Sequence, residues 1–161
     1  MAGTSRATSA GVAQRCLRRV RPYNRTEEFR AALSFRPDIA VIHLGLNDTD
    51  PRAWPDFRDE FISDYLWLID TLRSVGTKEF YIARLSPIFH GHRRFKAGTR
   101  DWYWQIQEMI EEVASLSGAT LIDFYTPLKA RPDLMPDNLH PDAQGAAMLA
   151  ELGRLVIGGD Q

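Results

Sequence analysis

Several features that would direct the interpretation are scarce in this chain of 161 residues. Cys16 is the single cysteine, so no disulfide can form within the chain. No apolar run approaches the roughly 20 residues of a transmembrane helix, and the start lacks the apolar segment of a secretory signal peptide. The net charge of −1 gives no general attraction to nucleic acid or to an anionic membrane. These absences argue against nucleic-acid and membrane-spanning classes and leave the compartment unassigned.

Acidic residues are also missing from the start of the chain. Six arginines precede Glu27, the first acidic residue. An arginine-rich segment that contains serine and lacks acids is typical of a transit peptide. No strand pattern is visible from Met1 to Tyr23 either. The segment is therefore open to two interpretations, a targeting sequence or part of the domain itself.

The rest of the chain alternates between short apolar runs and helical patterns. Strands are predicted at residues 39–44, 79–85 and 119–124, and helices from Thr26 to Phe35, Trp54 to Val75, Thr99 to Leu116 and Pro141 to Val156. This alternation predicts a single α/β domain with a parallel sheet and helices on both faces. Three strands are fewer than the five or so that are usual, and we expect the deficit at the N-terminus.

Gly45-Leu46-Asn47-Asp48 follows the first predicted strand directly. Ligands of open parallel sheets bind beyond the carboxyl ends of the strands. Gly45 permits a tight turn there, the amide of Asn47 can donate to a developing oxyanion, and Asp48 can accept backbone N–H groups of the loop. An ordinary turn, in which these residue types are also common, remains the alternative.

Asp137-Asn138-Leu139-His140-Pro141 places an acid and an imidazole three positions apart, just before the last helix. A carboxylate that orients a histidine is two-thirds of a catalytic triad. Here Asp137 would hold one ring nitrogen and His140 would offer the other to a nucleophile. A capping loop that carries a surface histidine is the alternative.

Together the two motifs resemble the SGNH hydrolase superfamily, also called GDSL esterases. Residues 37–49 look like the third block of that family and residues 137–146 like its fifth. The intervening spacing is similar to that of bacterial acetylesterase-like members acting on carbohydrates, through Trp54, Phe61, Tyr65 and Pro87. The resemblance implies a three-layer αβα sandwich, flavodoxin-like, with a five-stranded parallel sheet. It implies a serine esterase without cofactor or metal, whose substrate is a small-molecule or carbohydrate ester, with O-acetyl groups expected.

The resemblance also implies the role of each residue. Asn47 would be an oxyanion donor, His140 the general base and Asp137 its orienting acid. The family's nucleophile lies in a Gly-Asp-Ser block after the first strand, and this chain contains no Gly-Asp-Ser. Gly3-Thr4-Ser5-Arg6-Ala7-Thr8 faintly resembles the second block, with Gly3 as the oxyanion glycine and Arg6 in place of a glycine.

We therefore expect residues 1–161 to form one N-terminally incomplete domain that contains blocks two to five, which makes the basic start part of the domain. Without the serine the chain should be nearly inactive. The incomplete sheet should expose unpaired backbone and favour self-association.

Other serines are weak candidates for the nucleophile. Ser5 and Ser9 lie near the start and Ser86 follows a strand, but none stands in a strand-to-helix elbow.

Two other functions stay open. One is a non-catalytic glycan-binding module that retains the cleft. The other is a metal-dependent hydrolase using His90 and His92, with His43, His140 or Asp137 as further ligands. Against the metal, the loop is basic, with Arg93, Arg94 and Lys96. His43, inside a predicted strand, is expected to be a core residue. Of the consecutive Trp102, Tyr103 and Trp104, at least one should reach the surface, where it could stack on a sugar.

Overall fold

A computed structural model describes residues 23–50, 57–92 and 99–159 of the protein. Four helices and three strands alternate in it: α1 (Glu27–Phe35), β1 (Ile39–Ile42), α2 (Phe61–Ser74), β2 (Glu79–Ala83), α3 (Thr99–Ser117), β3 (Thr120–Ile122) and α4 (Ala143–Gly158). The predicted α/β class and the order of its elements are confirmed. None of the helices in these ranges is long and apolar enough to cross a membrane.

The three strands form a parallel sheet in the order β1-β2-β3. Ile39 pairs with Glu79 and Ile42 with Ile82, while Ala83 pairs with Ile122. Because the strands are parallel, their carboxyl ends meet at one edge of the sheet. The loops after β1, β2 and β3 therefore share that edge, which is where ligands bind in such folds.

One face of the sheet is covered by α1, α2 and α3. Successive strand residues point to opposite faces, and Ala40, Ile42, Phe80 and Ile82 point to this side. They join one buried cluster with residues of the three helices, including Phe29, Tyr65, Ile69, Ile106 and Ile110. This cluster is the main core, and it fixes α3 directly beneath the carboxyl edge of β1 and β2.

The opposite face is covered by α4 over β2 and β3. Tyr81, Ala83 and Ile122 are buried there against side chains of α4, namely Leu152, Val156 and Ile157. On the same face of β1, however, Ile39 and Val41 remain 39% and 48% exposed. The helices thus lie on both faces as predicted, but the cover over β1 is incomplete among the described residues.

His43 was expected in the core, and that expectation is wrong. β1 ends at Ile42, and the His43 side chain is exposed. It follows Ile39 and Val41 on the face that α4 does not reach, which is the physical reason for its exposure. Its ring makes an edge contact with Phe124 at a centroid distance of 5.2 Å.

The helix ends largely follow the sequence signals. Thr26 caps α1 by accepting the N–H of Phe29 over 3.2 Å, and Gly76 and Gly118, with positive φ, follow the ends of α2 and α3. Two starts differ from the prediction. α2 begins at Phe61 after a 3₁₀ turn over Arg58–Glu60, and α4 begins after an Asp142 cap rather than at Pro141.

Candidate active site

Asp137 and His140 are in direct contact, as predicted. Asp137 Oδ2 lies 2.6 Å from His140 Nδ1. The other carboxylate oxygen, Oδ1, accepts the backbone N–H groups of Leu139 over 3.0 Å and of His140 over 2.7 Å. Both side chains are exposed, with 52% of Asp137 and 69% of His140 accessible. The imidazole is therefore held by its acid and still open to a reactant.

The loop that carries this pair is fixed by hydrogen bonds at both ends. Asn138 N–H donates to Met135 O over 2.8 Å, and Asp142 N–H donates to Leu134 O over 2.8 Å. Asn138 has φ of +63°, a left-handed conformation that asparagine tolerates better than most residues. Leu139 is buried in the main core, so it anchors the loop between the two polar residues.

Hydrogen bonds explain the electrostatics of Asp137. The backbone N–H and then the ring of His140, with the N–H of Leu139, hold the pKa of the Asp137 carboxyl well below its usual range. Asp137 is therefore a carboxylate that can only accept. It follows that His140 Nδ1 carries a proton and that Nε2 is the nitrogen available as a base in the neutral ring.

This lowered pKa predicts how Asp137 affects stability with pH. A carboxyl whose pKa is lower in the folded than in the unfolded state stabilises the folded state when the pH is above the unfolded-state pKa, which is near 4 for aspartate. That contribution is lost as pH falls below this value. We expect Asp137→Asn to unfold at lower urea concentration than wild type at pH 6, and the gap to narrow at pH 3. Asp70→Asn, on the exposed side of α2, controls for the lost charge. A gap as wide at pH 3 as at pH 6 would contradict the assignment.

The Gly45–Asp48 turn begins a short 3₁₀ helix, Leu46–Thr49, after β1. Gly45 has φ of +116°, and a Cβ there would lie 3.3 Å from Ile106 Cγ2. Asn47 is exposed in this turn, at the sheet edge to which the bond from Phe89 N–H to Asn138 O also ties the loop of Asp137 and His140. Burial of the Tyr65 hydroxyl raises its pKa, and the charge of the half-buried Asp48 raises that pKa further.

Two groups of residues at this edge were not found from the sequence. Tyr103 and Gln107 of α3 form buried hydrogen bonds with the backbone of Leu85 and Ser86 after β2. Phe89 N–H donates to Asn138 O over 2.9 Å and so joins the loop after β2 to the acid–base loop. The spacing of Tyr103 and Gln107, one helical turn apart, was the only signal that could have indicated them.

The remaining serine candidates differ in position. Ser86 is 2% exposed, so its hydroxyl is not accessible to a substrate in this conformation. Ser5, Ser9 and the proposed oxyanion glycine Gly3 lie outside the described residues. None of the three serine candidates is therefore an accessible nucleophile within the described residues.

The histidine candidates for a metal site are not brought together. In the three described ranges, no group of three or more His, Cys, Asp or Glu residues is placed to hold a metal ion. His90 is exposed and His92 half-buried, while Arg93, Arg94 and Lys96 lie outside those ranges.

The consecutive aromatic residues separate as expected. Tyr103 is buried, Trp102 packs half-buried against the main core, and Trp104 is 42% exposed. Trp104 contacts Tyr125 edge-on, with ring centroids 5.3 Å apart. Tyr125 follows β3, so this aromatic pair lies at the carboxyl edge of the sheet.

Comparison with known proteins identifies the family of this chain. The model of the GDSL-like Lipase/Acylhydrolase family matches residues 2–148. The chain belongs to this family. An acetylxylan esterase of Xylanibacter ruminicola is 26% identical over 156 residues, which cover 81% of this chain and 31% of that protein.

Solved structures of a GDSL-like lipase and of an acetylxylan esterase show the same fold. A GDSL-like lipase from Bacteroides thetaiotaomicron has a TM-score of 0.69 at 18% identity, over 83% of this chain and 69% of that one. The acetylxylan esterase Axe2 from Geobacillus stearothermophilus has a TM-score of 0.62 at 18% identity, over 81% and 66%. This chain therefore spans under a third of the curated relative and about two-thirds of the structural neighbours.

Proposed function

We propose that this chain carries the acid–base pair and an oxyanion donor of an esterase that removes acetyl groups from a carbohydrate. The observation that carries the proposal is the Asp137–His140 contact of 2.6 Å, with the imidazole exposed at the sheet edge that also presents Asn47. Structures reported as catalytic mutants of Axe2 replace an aspartate and a histidine three positions apart, the same separation as Asp137 and His140. The carbohydrate substrate rests on the names of the acetylxylan esterase relatives.

The reaction would be an acyl transfer to a serine. His140 Nε2 takes the hydroxyl proton as the serine oxygen bonds to the ester carbonyl carbon, and Asp137 stabilises the resulting imidazolium. The amide of Asn47, with the backbone N–H of Gly3, stabilises the oxyanion, at about 3 kcal/mol per donor in enzymes of this kind. His140 then gives the proton to the departing sugar oxygen, which leaves as a hydroxyl group, and the acetyl group stays on the serine. Water attacks the acetyl-serine as His140 takes its proton, and acetate leaves as the serine oxygen regains that proton.

We propose that the serine belongs to a Gly-Asp-Ser block preceding residue 1 in the encoded protein. The test is to read the genomic DNA upstream of Met1 in all frames and to express the chain with any segment that encodes such a block. The extended protein should release acetate from acetylated xylo-oligosaccharides and lose that activity in a His140→Ala variant. Activity that survives His140→Ala, or no release at all, would refute the proposal. A chelator distinguishes a serine esterase from a metal-dependent hydrolase. Chelation would abolish the activity of the metal-dependent enzyme, and zinc or manganese would restore it.

A glycan-binding module is the second candidate, and the exposed Trp104 beside Tyr125 favours it. An aromatic face packs against apolar patches such as those of a sugar ring. Trp104→Ala should therefore weaken binding of acetylated xylo-oligosaccharides about 2- to 10-fold, which corresponds to about 0.4–1.4 kcal/mol. Leu116→Ala, also exposed on α3 but at its other end, is the control. Isothermal titration calorimetry of both variants measures the effect, and equal affinities would count against a sugar platform at Trp104.

We also propose that the chain self-associates through β1. Among the described residues, β1 pairs only with β2, and Ile39 and Val41 are exposed beside its free edge. Exposed edges of this kind template pairing with another chain, and an added lysine blocks it. Sedimentation velocity should show oligomers for wild type and fewer for Val41→Lys. Leu155→Lys, which adds the same charge at an exposed apolar position of α4, is the charge control, and a monomeric wild type would contradict the proposal.

A further inference from the structure

The backbone of Leu85, two residues beyond β2, forms hydrogen bonds with a side chain like those it would form with a neighbouring strand. Its N–H donates to Gln107 Oε1 over 2.9 Å, and its carbonyl accepts from Gln107 Nε2 over 3.0 Å. A side-chain amide has the same donor and acceptor as a peptide group. Gln107 therefore continues, from α3, the ladder of hydrogen bonds that β2 makes within the sheet.

Tyr103 completes this arrangement. Its hydroxyl lies 3.0 Å from both Leu85 O and Ser86 O, which share its one donated proton, and it accepts from Gln107 Nε2 over 3.0 Å. Tyr103 and Gln107 are each 2% exposed. Burial raises the pKa of the Tyr103 hydroxyl, which keeps its proton for donation. In a buried network each lost partner leaves another polar group unsatisfied, so Leu85 has little freedom to move.

Leu85 is connected to both halves of the candidate site. Its Cδ2 would lie 3.4 Å from a Cβ at Gly45, so its side chain supports the turn that presents Asn47. Leu85 is also linked to the second half through Phe89, four residues further along the chain. Phe89 N–H donates to the carbonyl of Asn138, which lies between Asp137 and His140 in the sequence. Leu85, which α3 holds in place, therefore contacts the Gly45–Asp48 turn and begins the segment that is bonded to the loop of Asp137 and His140.

We propose that Tyr103 and Gln107 are positioning residues, which set the separation between Asn47 and the Asp137–His140 pair by fixing Leu85. The proposal rests on the functional roles proposed for those three residues. A hydrolase needs its oxyanion donor and its base in place together, and a shift of about 1 Å lowers the rate strongly. Neither positioning residue would touch the substrate.

The test uses two readouts that need no turnover. The first is amide hydrogen exchange at Phe89 N–H, which reports the bond to Asn138. The second is the His140 tautomer, read by ¹⁵N NMR, because the bond to Asp137 requires a proton on Nδ1. Gln107→Leu removes both bonds to Leu85, and Val113→Ala, fully buried further along α3, matches it as a destabilised core variant.

We expect Gln107→Leu to speed exchange at Phe89 at least 10-fold beyond the Val113→Ala control. The Nδ1–H population of His140 should stay as in wild type, because the bonds between Asp137 and His140 are local to their loop. If Gln107→Leu does not fold, Gln107→Glu provides the test. It keeps an acceptor for Leu85 N–H but loses the donor to Leu85 O, so it should speed exchange at Phe89 beyond the Val113→Ala control by a factor smaller than 10. Tyr103→Phe should act in the same direction.

Exchange at Phe89 equal to wild type, or changed equally in Val113→Ala, would overturn the positioning role. Asp137→Asn separates this failure from that of the proposed function. If Asp137→Asn leaves the His140 tautomer as in wild type, the acid–base pairing itself is wrong, whatever Gln107 does.

Discussion

Purified chain should hydrolyse p-nitrophenyl acetate no faster than its own His140→Ala variant. The exposed imidazole can act as a base, but the chain contains no Gly-Asp-Ser, and Ser86 is buried beneath the sheet edge. Loss of the nucleophile from a serine hydrolase triad lowers kcat by about 10⁶, even when the base is intact. The acid–base pair alone is therefore expected to contribute almost nothing.

The control for this prediction is a serine-directed phosphonate. Hydrolysis that disappears both with His140→Ala and after phosphonate treatment would show that the prediction is wrong. In that case mass spectrometry of the labelled peptide would identify the serine, and Ser5, Ser9 and Ser86 can be distinguished by their peptides. The expected result is a protein that the phosphonate does not label and that hydrolyses p-nitrophenyl acetate no faster than the His140→Ala variant.

Gly45→Ala is expected to lower the free energy of unfolding by about 2–6 kcal/mol. Part of this is backbone strain, about 1–3 kcal/mol for a non-glycine residue in such a conformation, since φ is +116°. The rest is overpacking, about 1–3 kcal/mol, because the new methyl would lie 3.3–3.4 Å from side-chain atoms of Ile106, Ile110 and Leu85.

Gly76→Ala is a matched control for the backbone contribution. Gly76 has φ of +113°, and a methyl group there would meet no neighbouring side chain within 4 Å, so the substitution should cost strain alone. Ile110→Val removes the Cδ1 atom that a methyl at Gly45 would contact, and the double variant should recover part of the loss. Urea unfolding of the four variants beside wild type measures these differences. Equal losses at Gly45 and Gly76 would show that the close packing is unimportant.

Much of the fold was predictable because its signals are local. Apolar runs of strand length and helical periodicity indicated every α-helix and strand within the described ranges. Thr26, Gly76 and Gly118 marked helix ends through their own capping or backbone preferences. Three strands were expected and three are described, all parallel. The strand ends were predicted one or two residues too long, since hydrogen-bond pairing rather than hydropathy ends a strand.

The candidate site was predictable only in part. Asp137 and His140 are near in sequence, so their contact followed from the loop alone. His43 was misplaced because its exposure depends on how far α4 extends over the sheet, which no local pattern contains. Tyr103 and Gln107 were missed for the same reason, since their partners on Leu85 and Ser86 come from another element.

The acid–base pair has a consequence for the folding of the chain. The bonds that hold Asp137 join it only to Leu139 and His140, so they close very short loops and cost little chain entropy. The bond from Phe89 to Asn138 closes a far longer loop. The pair can therefore assemble before the tertiary structure around it, and the Nδ1 proton of His140 should outlast protection at Phe89 as denaturant is raised. An intact Asp137–His140 signal would then report a local turn, and the Phe89 amide would report the folded domain.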